Sequence, residues 1–242
     1  MKHDEVKRNQ RGQRMMLRYP ASTRVNHWTM AASFILLALS GLAFFHPAFF
    51  FLSHTLGGPV WARILHPFIG VVFFLLFVAI AVSNVRYNLW IKNDLRWVRQ
   101  IGDVLGNHDE RLPPIGKFNP GQKLVFWCLV ISVPLLLVTG VIMWRPWFAG
   151  YFPIPLIRLA SLLHALAAFV AIATIIVHIY AAIWVKGSIR AMTRGWVSRA
   201  WAKHHHPLWY EDHVDQDLAE QRKARNEQGD RPDAERDLKA RE

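Results

Sequence analysis

The sequence predicts an all-α integral membrane protein in which four helices form a bundle and both termini lie on the cytoplasmic side. Four long apolar stretches separated by charged segments are the first observation behind this prediction, since a membrane-spanning helix needs about 20 mostly apolar residues. The second is composition, because 52% of the 242 residues are hydrophobic and the chain contains 11 Trp and 15 Phe. The third is the net charge of +12, which falls on segments that flank the apolar stretches. It therefore indicates a membrane surface, and no nucleic acid, as the partner.

The distribution of charged and apolar residues divides the chain into three regions. Residues 1–24 form a basic N-terminal segment that lacks the short apolar core of a cleavable signal peptide. Residues 25–203 form the four-span domain, and residues 204–242 form a C-terminal tail rich in charged residues. The N-terminal segment, the central loop 86–117 and the segment after Lys186 are basic, which predicts that all three lie on the cytoplasmic side.

The predicted spans are 25–45, 62–85, 119–144 and 159–185. Pro67 in the second span is expected in the first helical turn, where a missing N–H does no harm. Asn119 and Pro120 resemble a helix N-cap followed by proline at the first helical position. In the central loop, apolar residues at helical spacing predict one short amphipathic surface helix. These residues are Leu95, Val98, Ile101, Val104 and Leu105.

Four histidines lie inside the predicted spans at matched depths. His164 and His178 are 14 positions apart in the fourth span, which leaves them within about 40° of the same helix face and about 21 Å apart along the axis. Spans alternate in direction, so His66 lies at the same depth as His164 near the outer surface. His27 lies at the same depth as His178 near the cytoplasmic surface. We call His66 and His164 the outer pair, and His27 and His178 the inner pair.

Two imidazoles at one depth can fill both axial positions of a b-type haem, so the four histidines predict two such haems. A histidine that only makes hydrogen bonds is the alternative for each residue taken singly. Zinc is disfavoured because the pairs are far apart and no acid or Cys completes a tetrahedral set. The single Cys128 excludes a disulfide framework and a CxxCH attachment of haem. No carboxylate lies inside the spans, which favours an electron conductor over a proton pump.

The remaining histidines are expected to be structural or exposed. His46, His54 and His108 fall in loop or interfacial positions, and His204, His205 and His206 are expected to form a solvated basic face with at most weak metal binding.

At these residues the chain resembles the gamma subunit of membrane-bound respiratory formate dehydrogenase, a dihaem cytochrome b. The similarity covers roughly residues 18–210. The stretches that carry it, in order, are NHW at 26–28, ALSG at 38–41, RILHPF at 63–68, GKFNPGQK at 116–123, LLVTGVIMWRP at 136–146, LLHALA at 162–167, HIYAAIWVKGSI at 178–189 and VSRAWAKHHHPLWY at 197–210.

The resemblance implies a multi-pass subunit of the bacterial inner membrane. It implies that formate is oxidised in a separate molybdenum or tungsten alpha subunit, and that an iron–sulfur beta subunit passes electrons to the outer haem. The inner haem would then reduce a quinone, so that quinone reduction, but not formate oxidation, belongs to this chain. The quinone site implied by the resemblance comprises Asn119, Gly121, Gln122 and His178.

Two other readings stay open at this point. A dihaem cytochrome b could serve a nickel–iron hydrogenase or another molybdoenzyme, because the residues that face the donor subunit decide which donor is used. A membrane protein without haem, such as a small transporter or scaffold, is the third reading.

Overall fold

The computed structural model describes residues 12, 14–106, 108 and 111–214. The α-helices α1 to α8 are numbered along the chain. They are α1 (Ala21–Phe45), α2 (Pro59–Asn84), α3 (Lys92–Arg99), α4 (Ile101–Leu105), α5 (Pro120–Met143), α6 (Ile154–Trp184), α7 (Ser188–Arg194) and α8 (Arg199–His205). Residues 1–11 of the predicted N-terminal segment and residues 215–242 of the predicted tail lie outside the described residues.

Among the described residues, four helices are long and apolar enough to cross a membrane: α1, α2, α5 and α6. The helix pairs α1–α2 and α5–α6 pack most extensively, and contacts of α2 with α5 and of α1 with α6 close the bundle. Phe73, Phe77 and Val133 form its buried centre. Many large apolar side chains on the same helices face outward, as expected where lipid is the solvent. The predicted four-helix arrangement is therefore present in the structure.

The second span begins earlier than predicted, and the expected position of Pro67 is wrong. Gly57 and Gly58 adopt φ values of 89° and 104°, which favour glycine, and Pro59 occupies the first turn of α2. Pro67 therefore lies inside the helix, where its missing N–H leaves the Arg63 carbonyl without its helical partner. Before this turn, Pro47–Leu56 forms a 3₁₀ helix that connects α1 with α2.

The central loop also differs from the prediction. Its apolar residues lie on two short helices, α3 and α4, which are separated at Gln100. The loop returns the chain to α5, and Trp97 of α3 is buried near the start of that helix.

The chain before α1 and the chain after α6 fold together at one end of the bundle. Strand β1 (Met15–Leu17) pairs antiparallel with strand β2 (Trp196–Ser198). Buried apolar side chains, among them Met16, Val197 and Trp209, form a small core beside these strands. We call this unit the terminal layer, and it includes a helical segment at 207–214. The sequence patterns of its two parts did not reveal their pairing.

Candidate functional site

The inner pair connects α1 with α6. His27 lies in the second turn of α1, and His178 lies near the end of α6, which runs in the opposite direction. Their ring centroids are 6.3 Å apart with an angle of 52° between the ring planes. The N-terminal end of α1 and the C-terminal end of α6 therefore bring these two imidazoles together beside the terminal layer.

The outer pair connects α2 with α6 at the other end of the bundle. The ring centroids of His66 and His164 are 6.4 Å apart, with 55° between the ring planes. The structure thus groups the four histidines in the two pairs that alternating span direction predicts. Within the described residues, no group of three or more His, Cys, Asp or Glu side chains is placed to hold one metal ion.

The spacing within each pair suits a single metal ion. Metal–imidazole bonds are about 2.0 Å long, and the centre of an imidazole ring lies about 1.1–1.2 Å from its nitrogen, so two axial imidazoles have centroids about 6.3 Å apart. The observed separations of 6.3 and 6.4 Å match this value. The two imidazoles of each pair could therefore hold one metal ion between them.

Two hydroxyl side chains contact the outer pair. Ser40 Oγ lies 2.7 Å from His66 Nδ1, and Thr139 Oγ1 lies 3.0 Å from His164 Nδ1. The sequence analysis missed both residues. A usable signal was present, since each is a hydroxyl residue deep in an apolar span and is followed directly by glycine.

The inner pair has different surroundings. His27 Nδ1 is buried and finds no hydrogen-bond partner among the described residues. The neighbouring Trp28 contacts the His27 ring edge-on, with centroids 5.4 Å apart, and donates its indole N–H to the Met192 carbonyl at 3.3 Å. The two ends of the bundle thus offer different environments to their imidazoles.

Asn119 and Gln122 form a capping box at the start of α5. The Gln122 backbone N–H donates to Asn119 Oδ1 at 2.8 Å, and the Asn119 backbone N–H donates to Gln122 Oε1 at 3.0 Å. These bonds use the side-chain oxygens and leave both amide NH₂ groups as donors. A Cβ at Gly121 would lie 3.4 Å from Asn119 Oδ1 and 3.9 Å from the Trp97 ring, so this position borders an aromatic side chain.

A buried ion pair holds α3 against this part of α5. Lys123 Nζ lies 2.7 Å from Asp94 Oδ2 and donates to the Leu89 carbonyl at 2.9 Å. The Ile91 backbone N–H also donates to Asp94 Oδ2, at 2.7 Å. Asp94 and Lys123 are 1% and 4% exposed, so the predicted amphipathic surface segment is in fact anchored by a charged residue that faces inward.

The terminal layer contains buried cations near the membrane surface. The Arg18 guanidinium lies 4.9 Å from the ring centre of Trp209 and 5.2 Å from that of Trp201, and it donates to the Lys117 carbonyl at 2.7 Å. Burial, and next the neighbouring Arg18 and Arg86, lower the pKa of Lys117 to about 8.

His206 is buried in this layer, so the expectation of a solvated face is wrong for this residue. Its Nδ1 lies 2.8 Å from the Gly116 carbonyl, and its Nε2 lies 3.0 Å from Arg18 Nη2. Since a guanidinium can only donate, this arrangement requires the neutral tautomer with the proton on Nδ1. Burial, and next the Arg18 charge, hold the pKa of His206 well below its ordinary value.

The other histidines belong to neither pair. His46 Nδ1 accepts the Ala48 backbone N–H at 3.2 Å, and His54 Nδ1 lies 3.0 Å from the Phe51 carbonyl. His108 and His204 are exposed.

Comparison with known proteins adds to this geometry. The model of a family described as prokaryotic cytochrome b561 matches residues 18–195. The cytochrome b556(fdo) subunit of formate dehydrogenase from Escherichia coli strain K12 is 50% identical over 197 residues, which cover 81% of this chain and 92% of the relative. The cytochrome b556 subunit of formate dehydrogenase from Haemophilus influenzae is 44% identical over 199 residues, 82% of this chain and 84% of the relative. The cytochrome b556(Fdn) subunit of the nitrate-inducible formate dehydrogenase from E. coli K12 is also 44% identical over 199 residues, 82% of this chain and 92% of the relative.

Proposed function

This chain belongs to the prokaryotic cytochrome b561 family, and from that membership we propose that it is the membrane cytochrome b subunit of a formate dehydrogenase, which carries electrons to the quinone pool and anchors the complex. A cytochrome b binds haem b. The four apolar helices and the prokaryotic family make the chain a multi-pass protein of the bacterial inner membrane. The relatives described above are all cytochrome b556 subunits of formate dehydrogenases, which supports formate as the source of the electrons.

The observation that carries the proposal is the meeting of four imidazoles in two pairs, each with a ring separation that would suit one iron bound by both rings. His66 and His164 would hold the outer haem, and His27 and His178 would hold the inner haem. Bound haem supplies one-electron transfer between ferric and ferrous iron. Because His164 and His178 are about 21 Å apart along α6, the two pairs lie near opposite surfaces of a hydrocarbon core about 30 Å thick.

The quinone would bind beside the inner pair, against the start of α5. Asn119 and Gln122 would donate their amide N–H groups to a quinone carbonyl, since their oxygens are already engaged in the capping box. Gly121 would let the quinone ring approach the backbone, and His178 would border the bound quinone. Reduction here would take protons from the side of the membrane on which the terminal layer lies.

The proposed orientation places both termini and the terminal layer in the cytoplasm. The relatives' names describe one subunit of a larger enzyme, so the chain works in a multisubunit complex. We assign the face of the outer pair to an iron–sulfur beta subunit and the oxidation of formate to a molybdenum or tungsten alpha subunit. Lipid surrounds the exposed apolar faces of the four spans.

The test is purification of the complex in mild detergent through a tag on this chain. We expect two b-type haems per chain, both reduced by formate, with electrons reaching an added quinone. Reduction by hydrogen and not by formate would contradict the assignment of the donor.

Single variants then assign each haem. His66→Ala or His164→Ala should remove only the outer haem, and His27→Ala or His178→Ala should remove only the inner one. His54→Ala is the matched control, because His54 lies at the outer end but belongs to neither pair, and it should keep both haems. An unchanged haem content in all four pair variants would overturn the ligand assignment.

A further inference from the structure

The hydroxyl groups beside the outer pair favour one position for the imidazole proton. Ser40 Oγ lies 2.7 Å from the Leu36 carbonyl, and Thr139 Oγ1 lies 2.6 Å from the Leu135 carbonyl, so each hydroxyl donates its one hydrogen to its own helix. A hydroxyl whose hydrogen is used in this way can only accept from the imidazole. This arrangement favours the tautomer of His66 and His164 that carries the proton on Nδ1, which leaves Nε2 free to bind a metal.

The same arrangement occurs twice, once in each helix pair. Ser40 and Gly41 of α1 contact the imidazole on α2, and Thr139 and Gly140 of α5 contact the imidazole on α6. A Cβ at Gly41 would lie 3.7 Å from His66 Cε1, and one at Gly140 would lie 3.5 Å from His164 Cε1. In each case the glycine lies beside the ring, and the buried hydroxyl residue before it contacts the ring Nδ1. Ser40 is 0% exposed and Thr139 is 3% exposed, so water does not compete for these bonds.

The inner pair lacks this support at His27, whose buried Nδ1 has no hydrogen-bond partner in the described part of the chain. The two pairs therefore differ in the electron density that their imidazoles can give to a bound metal. When a histidine binds a metal through one ring nitrogen, a hydrogen bond donated by its other ring nitrogen raises the basicity of the ligand and fixes the ring orientation. A more basic axial ligand favours the oxidised state of the iron and so lowers its reduction potential.

We propose that Ser40 and Thr139 are positioning residues that orient the outer imidazoles and lower the potential of the outer haem relative to the inner haem. This inference rests on the proposed function, in which His66 and His164 hold the outer haem. A lower potential at the outer haem favours electron transfer from the outer haem to the inner haem, so these two hydrogen bonds would help to set the direction of transfer. Each hydroxyl is itself polarised by the helix carbonyl to which it donates, which strengthens it as an acceptor.

The test is a potentiometric titration of the purified complex, followed by optical absorption and by the EPR signals of the ferric haems. Ser40→Ala and Thr139→Val each remove one acceptor. We expect each to favour reduction of the outer haem by about tenfold, which corresponds to a rise of about 59 mV for one electron. The potential of the inner haem should stay unchanged. Ser33→Ala is the matched control, because Ser33 makes the same bond to the carbonyl four residues earlier at 2.9 Å without being hydrogen-bonded to a pair histidine, and it should shift neither potential.

An outer haem that is retained in both variants with an unchanged or lower potential would overturn the inference and leave the proposed function intact. If a variant loses its outer haem, Ser40→Thr and Thr139→Ser provide the second comparison, because they keep the hydroxyl. Recovery of the haem and of the wild-type potential in these conservative variants supports the positioning role, and loss of the haem in them as well contradicts it. Failure of the proposed function would look different, since His66→Ala would then leave both haems in place.

Discussion

Replacing Asp94 by asparagine removes the negative charge from an ion pair whose two side chains are 1% and 4% exposed. Lys123 Nζ would keep the Leu89 carbonyl at 2.9 Å but lose the carboxylate at 2.7 Å. Because a buried ammonium group is then left without a counter-charge, we expect the free energy of unfolding to fall by about 3–5 kcal/mol. For a chain of this size each kcal/mol corresponds to about 2–4 °C, so Tm should drop by about 6–20 °C.

The double variant Asp94→Asn/Lys123→Met separates the charge effect from the loss of packing. It removes both charges and should be more stable than Asp94→Asn alone, since no buried charge then lacks a partner. Asp103→Asn is the control. It breaks the exposed pair with Arg111, whose atoms are 3.7 Å apart, and should cost at most about 1 kcal/mol.

The assay is thermal unfolding of the detergent-solubilised complex, followed by tryptophan fluorescence. Because the ion pair also holds α3 against the start of α5, Asp94→Asn should raise the KM for quinone while both haems are retained. A Tm within about 1 °C of wild type for Asp94→Asn would refute this reasoning, as would a double variant less stable than the single one.

Three further predictions concern the cap, the terminal layer and one turn. Asn119→Ala should lower the stability by about 1 kcal/mol through loss of the cap, and steady-state kinetics should show a higher KM for quinone with unchanged haem content. Since the pKa of folded His206 lies well below 6.5, the unfolded chain binds a proton below pH 6.5 that the folded chain excludes. Stability should therefore fall as the pH drops from about 7 to 5, and Tm measured against pH should be flatter for His206→Gln. Gly195→Ala should lower the free energy of unfolding by at least about 1–2 kcal/mol, because the φ of Gly195 is +84° and the new Cβ would lie 2.6 Å from the Tyr19 carbonyl oxygen. Gly150→Ala is the control: its new Cβ would have no atom within 4 Å, so its thermal unfolding should match that of the wild type.

The four spans and the grouping of the histidines could be predicted from the sequence alone. A bilayer requires long apolar helices, and successive spans must cross it in alternating directions. Helix periodicity alone brings His164 and His178 to one face, and span direction then assigns His66 and His27 as their neighbours. The capping role of Asn119 could also be predicted from the sequence, since Asn followed directly by Pro is typical of the start of a helix.

The misses came from contacts between distant parts of the chain. The pairing of Met15–Leu17 with Trp196–Ser198 joins segments about 180 residues apart, and three-residue strands carry no readable periodicity. The burial of His206 follows from that layer, because Arg18 and the Gly116 carbonyl supply its partners. The error at Pro67 is local: the predicted second span begins at residue 62, whereas the helix in the structure begins at Pro59.

The most direct test of the account is a measurement of where iron lies in the purified complex, by cryo-electron microscopy of the assembled enzyme. We expect two haem irons in this chain, one between His27 and His178 and one between His66 and His164, separated by about 20 Å as the rise of α6 requires. A single iron, or an iron bound away from either pair, would contradict the account.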